Sequence, residues 1–161
     1  MESLKLPNMS REEVEDLLYS KDVCRIAFLD KTYPYITPFQ YAYLNSTLYF
    51  HFTNYGRKIK FLKENPNVCV EIERLDENLR SFRFISLKGK LTIVNDNIER
   101  EKAITKLREN GRQKLSPAFL TAHGINPREG WAFLTSEKPF LIVKLDNISE
   151  IVGLKSPTHL T

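Results

Sequence analysis

The sequence predicts a mainly β, α+β fold: six to seven antiparallel strands forming a small barrel, with helices at its periphery. Segments in which apolar and polar residues alternate, the period of a half-buried strand, recur along the chain. Several are joined by hairpin-type turns instead of crossover helices. That order does not suit a doubly wound parallel sheet and does suit a small antiparallel barrel. Apolar residues make up 42% of the 161, enough for a real core.

SREEVEDLLYS opens the fold. Ser10 is placed to cap a helix and Glu13 to reach back to it, an S-x-x-E capping box, and Val14, Leu17 and Leu18 form the apolar stripe. VCRIAFLD reads as a strand from Val23 to about Leu29, in which Arg25 shares a face with Val23, Ala27 and Leu29. YPYITPFQYAYL reads as a second strand, restricted by Pro34 and Pro38 to an edge or bulged position. Asn45 and Ser46 turn it into TLYFHFTN, so the two predict a hairpin. In the latter strand Leu48, Phe50 and Phe52 face one way and Tyr49, His51 and Thr53 the other. A helix from about Lys58 to Glu64 follows, with Ile59 and Leu62 on its buried side, and Asn65–Pro66 stops it. NVCVEIERL is a strand with Val68, Val70 and Ile72 inward and Glu71 and Glu73 outward. SFRFISLKGKLTIVN is a longer strand with Gly89 at a bulge or bend. NDNIEREKAITKLRENG is an amphipathic helix anchored by Ile104 and Leu107 and ended by Gly111. Ser116 and Pro117 start a short helix, and PFLIVKLDNISEIVGLK reads as a strand pair around Asp146 and Asn147.

Composition narrows the function. Six glycines, with neither G-x-G-x-x-G nor G-x-x-x-x-G-K-[ST], argue against nucleotide loops of the dehydrogenase and P-loop types. A formal charge of +4, with the cations interleaved among 20 acidic residues, fits an anionic small molecule and gives nucleic acid no particular support. Cys24 and Cys69 lie in apolar strands, and MESLKLPNMS does not read as a secretory signal. Two buried thiols in a reducing cytoplasm are therefore expected. These cysteines and His51, His123 and His159 lack zinc-like spacing, so no metal site is expected. No run reaches the ~18–20 apolar residues of a membrane helix. One junction stands apart: in HFTNYGRKIKFLKENP a strand becomes a helix, with Gly56, Arg57 and Lys58 at the change. A helix start exposes unpaired amides and partial positive charge. Two cations there add to the field, and a phosphate would relieve it.

LYFHFTNYGRKIKFLKENPNVCVEIE resembles the core of the pyridoxamine phosphate oxidase-like flavoproteins, the FMN-binding split barrels. The shared features are a strand ending in F-[TS], a short turn, R-K, a helix, N-P and another strand. CRIAFLD is similar to the family strand that starts with arginine. YPYITPFQYAY, LYFHF with GRK, and the closing LIVKLDNISEIVGLK resemble the nitroimidazole-reductase-like branch. The resemblance spans about residues 10–154, the core of an expected single FMN-binding domain over 1–161. It implies a split barrel, a homodimer with two FMN sites at its interface, and a cytoplasmic oxidoreductase acting on a small molecule with NAD(P)H as the expected reductant. By the same resemblance Arg57, Lys58 and Thr53 meet the FMN phosphate and Arg25 lies near the phosphate and ribityl chain. The backbone of Ile26, Ala27 and Phe28 runs beside the cofactor, Thr37, Pro38 and Phe39 line the flavin, and His51 sits near the ring or its polar edge.

Competing readings stand beside these. Arg25 has possible partners in Glu71 or Glu73, His51 can be a satisfied strand histidine, and Trp131 can be core or interface packing. Haem with His51 or His123 as axial ligand, a deazaflavin, and a flavin-binding module without turnover are the alternatives to a catalytic FMN site. The oxidases proper carry an arginine-rich C-terminal segment, whereas this chain runs out in GLKSPTHLT, so oxidation of pyridoxamine phosphate is not implied. No residue stands out as a dedicated acid or base.

Overall fold

The first helix begins where Ser10 and Glu13 bond each other's backbone. Ser10 Oγ accepts from the Glu13 amide (3.2 Å) and Glu13 Oε2 accepts from the Ser10 amide (2.8 Å), the reciprocal cap expected from the sequence. It starts α1 at Arg11–Ser20 in a computed structural model that describes residues 5–157. His159 and the end of the GLKSPTHLT tail lie outside the described residues. Leu17 and Leu18 are buried on the inner side of α1 and Val14 is half-buried.

Seven strands follow: β1 (Val23–Phe28), β2 (Tyr35–Gln40), β3 (Ala42–Leu44), β4 (Thr47–Thr53), β5 (Asn67–Leu75), β6 (Phe82–Ile93) and β7 (Phe140–Lys155). Helix α2 (Arg57–Glu64) lies between β4 and β5. Helix α3 (Asn97–Lys114) and two 3-10 helices, Pro117–His123 and Pro127–Phe133, lie between β6 and β7. All strands pair antiparallel in one sheet, ordered β2-β1-β5-β6-β7-β4-β3.

The predicted strand YPYITPFQYAYL is two strands, β2 and β3, at opposite edges of that sheet. Only Ala42–Leu44 forms the expected hairpin with β4. Its turn places Asn45 and Ser46 at φ 48° and 59°, the left-handed pair that matches strand twist in a two-residue hairpin. A single residue, Tyr41, joins the two edges. One residue spans at most ~3.6 Å, so the sheet must curl until its edges meet, and the result is a split barrel. Phe39 of β2 stacks on Phe52 of β4 across the split, with centroids 5.0 Å apart.

The curl creates two cores. Alternate residues of the strands fill the barrel, among them Ile26, Phe28, Phe39, Phe50, Phe52, Val70, Ile72, Ile85 and Leu87. The other face of β4 and β7 packs under α3 and the 3-10 helices through Tyr49, Ile142, Ile104, Leu107 and Trp131. Both faces of β4 are therefore buried, with the alternation the sequence predicts.

Three expectations need correction. The closing segment is not a strand pair: β7 keeps β6 as its partner on both sides of an irregularity, where Lys88 faces Glu150 and Lys90 faces Asp146. Gly89 sits opposite, and a Cβ there would come within 2.8 Å of the Asp146 carbonyl, which is why this bulge takes glycine. Cys69 is half-buried rather than buried, because it lies on the outer face of β5 beside Ser86, with Sγ and Oγ 3.1 Å apart. Gly111 does not end α3, which continues to Lys114. It lets Trp131 lie flat on the helix, where the indole N–H donates to the Leu115 carbonyl (3.3 Å).

Gly111→Ala should therefore defy helix propensity. Alanine alone gains about 1 kcal/mol in a helix interior, but its Cβ would overlap the Trp131 indole, and overpacking costs about 1–3 kcal/mol. A lower urea midpoint with an unchanged m-value is expected. A midpoint at or above wild type would show that the helix does not need this close approach.

Candidate functional site

Helix α2 starts without a cap. Gly56 has φ 92°, ψ −174°, a conformation open to glycine and strained for other residues. Among the described residues no side chain bonds the first-turn amides, and no acidic residue sits in the first turn. Arg57 and Lys58 are the first two residues of this helix. Among the described residues no carboxylate lies within ion-pair distance of either, whereas Lys60, two residues on, reaches Glu64 at 3.8 Å. Arg57 is exposed and its guanidinium lies 5.3 Å from the Tyr35 ring centroid. Lys58 is half-buried with its ammonium 4.5 Å from the Phe39 centroid, and that burial lowers its pKa.

Beneath Lys58 lies a pair of histidines. His51 projects from β4 on the face it shares with Tyr49 and Thr53, and is 3% exposed. His123, at the end of the first 3-10 helix, is 8% exposed, and the rings stand 4.8 Å apart at 55°. Phe133 and Phe140 pack on His51; Phe119 and Phe39 pack on His123. The Nε2 atom of each imidazole is buried with no hydrogen-bond partner among the described residues. Burial, then His123 and Lys58, pushes His51 down to about 3; burial, then Lys58, pushes His123 down to about 4. Both rings are neutral at pH 7.

The curl thus brings Phe39, His51 and Lys58 together, with Arg57 at the rim. The other residues singled out in the sequence lie elsewhere. Arg25 is on the outer face of β1, where its guanidinium bonds Glu71 (3.1 Å) and Glu73 (2.6 Å), the competing partners foreseen for it. These contacts raise the Arg25 pKa. Exposed Pro38 is opposite Arg25 on the neighbouring strand, and half-buried Ala27 is on the same face. Ile26 and Phe28 point into the barrel core, and β1 pairs with β2 on one side and β5 on the other. Thr37 is half-buried on the inner side of β2. Thr53 donates its hydroxyl to the Tyr55 carbonyl (2.9 Å), which holds the turn before Gly56. His123 is marked by the sequence as a possible haem ligand but not as a flavin contact. Its place depends on a 3-10 helix folding back over β4, and no local pattern in PAFLTAH announces that contact.

Residues 10–123 match the family model of pyridoxamine 5'-phosphate oxidase. An uncharacterised protein of Rhizobium meliloti is 33% identical over 82 residues, 51% of this chain; the match spans about half the length of that relative, 53%. Among solved structures, a FAD-binding protein of Mesorhizobium loti superposes with a TM-score of 0.68 at 21% identity, covering 96% of this chain and 100% of that one. A candidate 5-nitroimidazole antibiotic resistance protein of Bacteroides thetaiotaomicron gives 0.66 at 19%, covering 96% and 89%. At these identities the superpositions establish the split-barrel fold. Among the described residues no helix is long and apolar enough to cross a membrane.

The buried histidines make stability depend on pH with a definite sign. Their folded pKa values lie below the ordinary 6.5, so the unfolded chain takes up protons first as pH falls. Their contribution is complete above about pH 6.5 and is lost progressively between about pH 6.5 and pH 3. In urea titrations from about pH 7 to pH 4, His51→Phe should lose stability less steeply than wild type, because one of the two titrating groups is gone. Parallel curves for the two chains would show that the His51 ring is not held neutral by burial.

Proposed function

The chain belongs to the pyridoxamine 5'-phosphate oxidase family, and from that premise we propose that it is a flavoprotein holding FMN at the start of α2 and acting as an oxidoreductase on a small organic molecule. The observation that carries this reading is the uncompensated pair Arg57–Lys58 beside free first-turn amides. FMN ends in a dianionic phosphate, an anion that a helix start accommodates. The residues present fit it. Arg57 offers a planar fork of donors at the exposed rim, Lys58 adds a point charge, and among the described residues nothing beyond the chain neighbours comes within 4 Å of where a Cβ on Gly56 would sit. Arg25 would have to leave Glu71 and Glu73 to take part, and Thr53 would have to release Tyr55. The phosphate is therefore assigned to Arg57, Lys58 and the α2 amides first. Bound flavin supplies the electron chemistry, and the protein's part is to position it and exclude water. In this reading Phe39, at the split, takes the ring side of such a site, backed by His123 and through it by neutral His51, with Thr37 and Pro38 on the same edge strand.

A haem would need an axial bond from His51 or His123. Its plane would have to displace the phenylalanines that pack on both rings, so flavin is the better reading. NAD(P)H as electron donor, a place in the nitroimidazole-reductase-like branch, a single domain and a cytoplasmic location belong to the same proposal. The free thiols of Cys24 and Cys69 accord with a reducing compartment.

The proposal includes a two-fold homodimer. Ile36 (59%) is exposed on the outer face of β2 and Leu29 (54%) just past the end of β1, and an isologous pair would cover them. An interface above ~2,000 Å² is expected. Sedimentation that finds only monomer at micromolar concentration would remove the dimer and any site shared across it.

The phosphate reading is tested with two ligands. Charge-assisted hydrogen bonds contribute about 1.5–3 kcal/mol each, so Arg57→Ala should weaken FMN at least about tenfold. Riboflavin, with the same ring and no phosphate, should bind wild type poorly and lose little more in the variant. Added salt should weaken FMN more than riboflavin. Equal losses for both ligands would show that Arg57 does not read the phosphate.

A further inference from the structure

Neither cation at the start of α2 has a carboxylate partner among the described residues, yet each meets an aromatic ring of β2. The Arg57 guanidinium carbon lies 5.3 Å from the Tyr35 centroid, and the Lys58 ammonium lies 4.5 Å from that of Phe39. Tyr35 and Phe39 share the inner side of β2, four residues apart, which separates their Cα atoms by about 13 Å. Consecutive helix residues diverge by about 100°. Two side chains that leave α2 in different directions therefore find separate landing sites on one strand.

Tyr35 is itself pinned. Its ring packs on Phe61 at 5.4 Å and on Phe28 at 6.0 Å, and those two rings stack on each other at 5.6 Å. Phe28 and Phe61 are buried, Tyr35 is half-buried and Arg57 is exposed, so the pile runs from the core to the surface with the guanidinium at its outer end. Arg57 and Phe61 stand one turn apart on α2, the i, i+4 spacing that puts both on one face of the helix.

A ring face treats a cation differently from a carboxylate. A carboxylate accepts the N–H donors and cancels the charge, as Glu71 and Glu73 do for Arg25. The ring quadrupole holds the charge in place and leaves the donors for an acceptor. Fixing a long side chain before a ligand arrives also reduces the rotamer freedom lost on binding.

We propose that Tyr35 is a positioning residue of the α2 site: its ring fixes the Arg57 guanidinium, as Phe39 fixes the Lys58 ammonium, and leaves the donors of both to a phosphate. This role rests on the phosphate reading of the two cations. It assigns to β2 the orientation of the site and to α2 its charge.

The test is NMR of the ligand-free chain together with flavin titrations. Ring currents should move the Arg57 side-chain proton signals upfield in wild type and in Tyr35→Phe, and Tyr35→Leu should return them to the positions of a free arginine. Tyr35→Leu should weaken FMN about two- to fivefold and leave riboflavin unchanged, whereas Tyr35→Phe should bind FMN as wild type does. In an Arg57→Ala background Tyr35→Leu should cost nothing further, because the ring acts through the arginine. Unshifted Arg57 protons in wild type would overturn the proposal without any variant having to fold. So would a loss shared by riboflavin, equal losses in Tyr35→Phe and Tyr35→Leu, or additive losses in the double variant. Full FMN affinity in Tyr35→Leu beside a loss of about tenfold in Arg57→Ala rejects the positioning role alone. Shifted Arg57 protons with full FMN affinity in Arg57→Ala reject the phosphate reading, and the positioning role falls with it.

Discussion

Tyr41 is the residue on which the architecture turns. It alone separates the two edge strands β2 and β3, and the reach of one residue forces those edges together. The constraint is held from several sides. Tyr41 is fully buried, its amide donates to the Asp22 carbonyl (2.9 Å), and its phenol donates to the Leu18 carbonyl at the end of α1 (2.8 Å). Burial raises the pKa of that phenol and keeps it a donor. The adjoining Gln40 ties the same point to α3 through the Leu107 carbonyl (2.7 Å). Without this closure the phenylalanines of β2 and β4, which pack on each other across the split, would face solvent.

The site is a consequence of the closure. Phe39 meets Phe52 and Phe50 only because β2 returns to β4, and the pair His51–His123 forms only because the first 3-10 helix covers the same seam. The protein places hydrophobic rings around two polar ones and leaves their Nε2 atoms unpaired. Burial that stabilises the phenylalanines depresses the histidines, so the packing of the second core and the electrostatics of the site have one cause.

Charge is distributed with equal asymmetry. Arg25 sits among carboxylates on the outer face of the sheet, where ion pairs between partly exposed groups contribute about 0–1 kcal/mol each. Arg57 and Lys58 sit at an uncapped helix start with no carboxylate partner among the described residues. An arginine already engaged and a cation pair not engaged are different chemical objects, although all three read alike as basic residues beside strands.

The sequence by itself determined every feature that depends on near neighbours. The capping box at Ser10 and Glu13, the inward set Val68, Val70 and Ile72, the Asn45–Ser46 turn, the bulge at Gly89 and the bare cations after Gly56 are all legible, because each follows from side chains within a few positions of one another. Tertiary structure alone decided the rest. The chain breaks at Tyr41 because closing the barrel outweighs continuing one strand, and Asn147 does not reverse β7 because β6 stays bonded on both sides of it. Gly111 serves Trp131 rather than a helix end. Between Phe39, Lys58, His51 and His123 the contacts join a strand edge, a helix start, a second strand and a 3-10 helix. Such contacts depend on the curl of the whole sheet, and no local spacing encodes it.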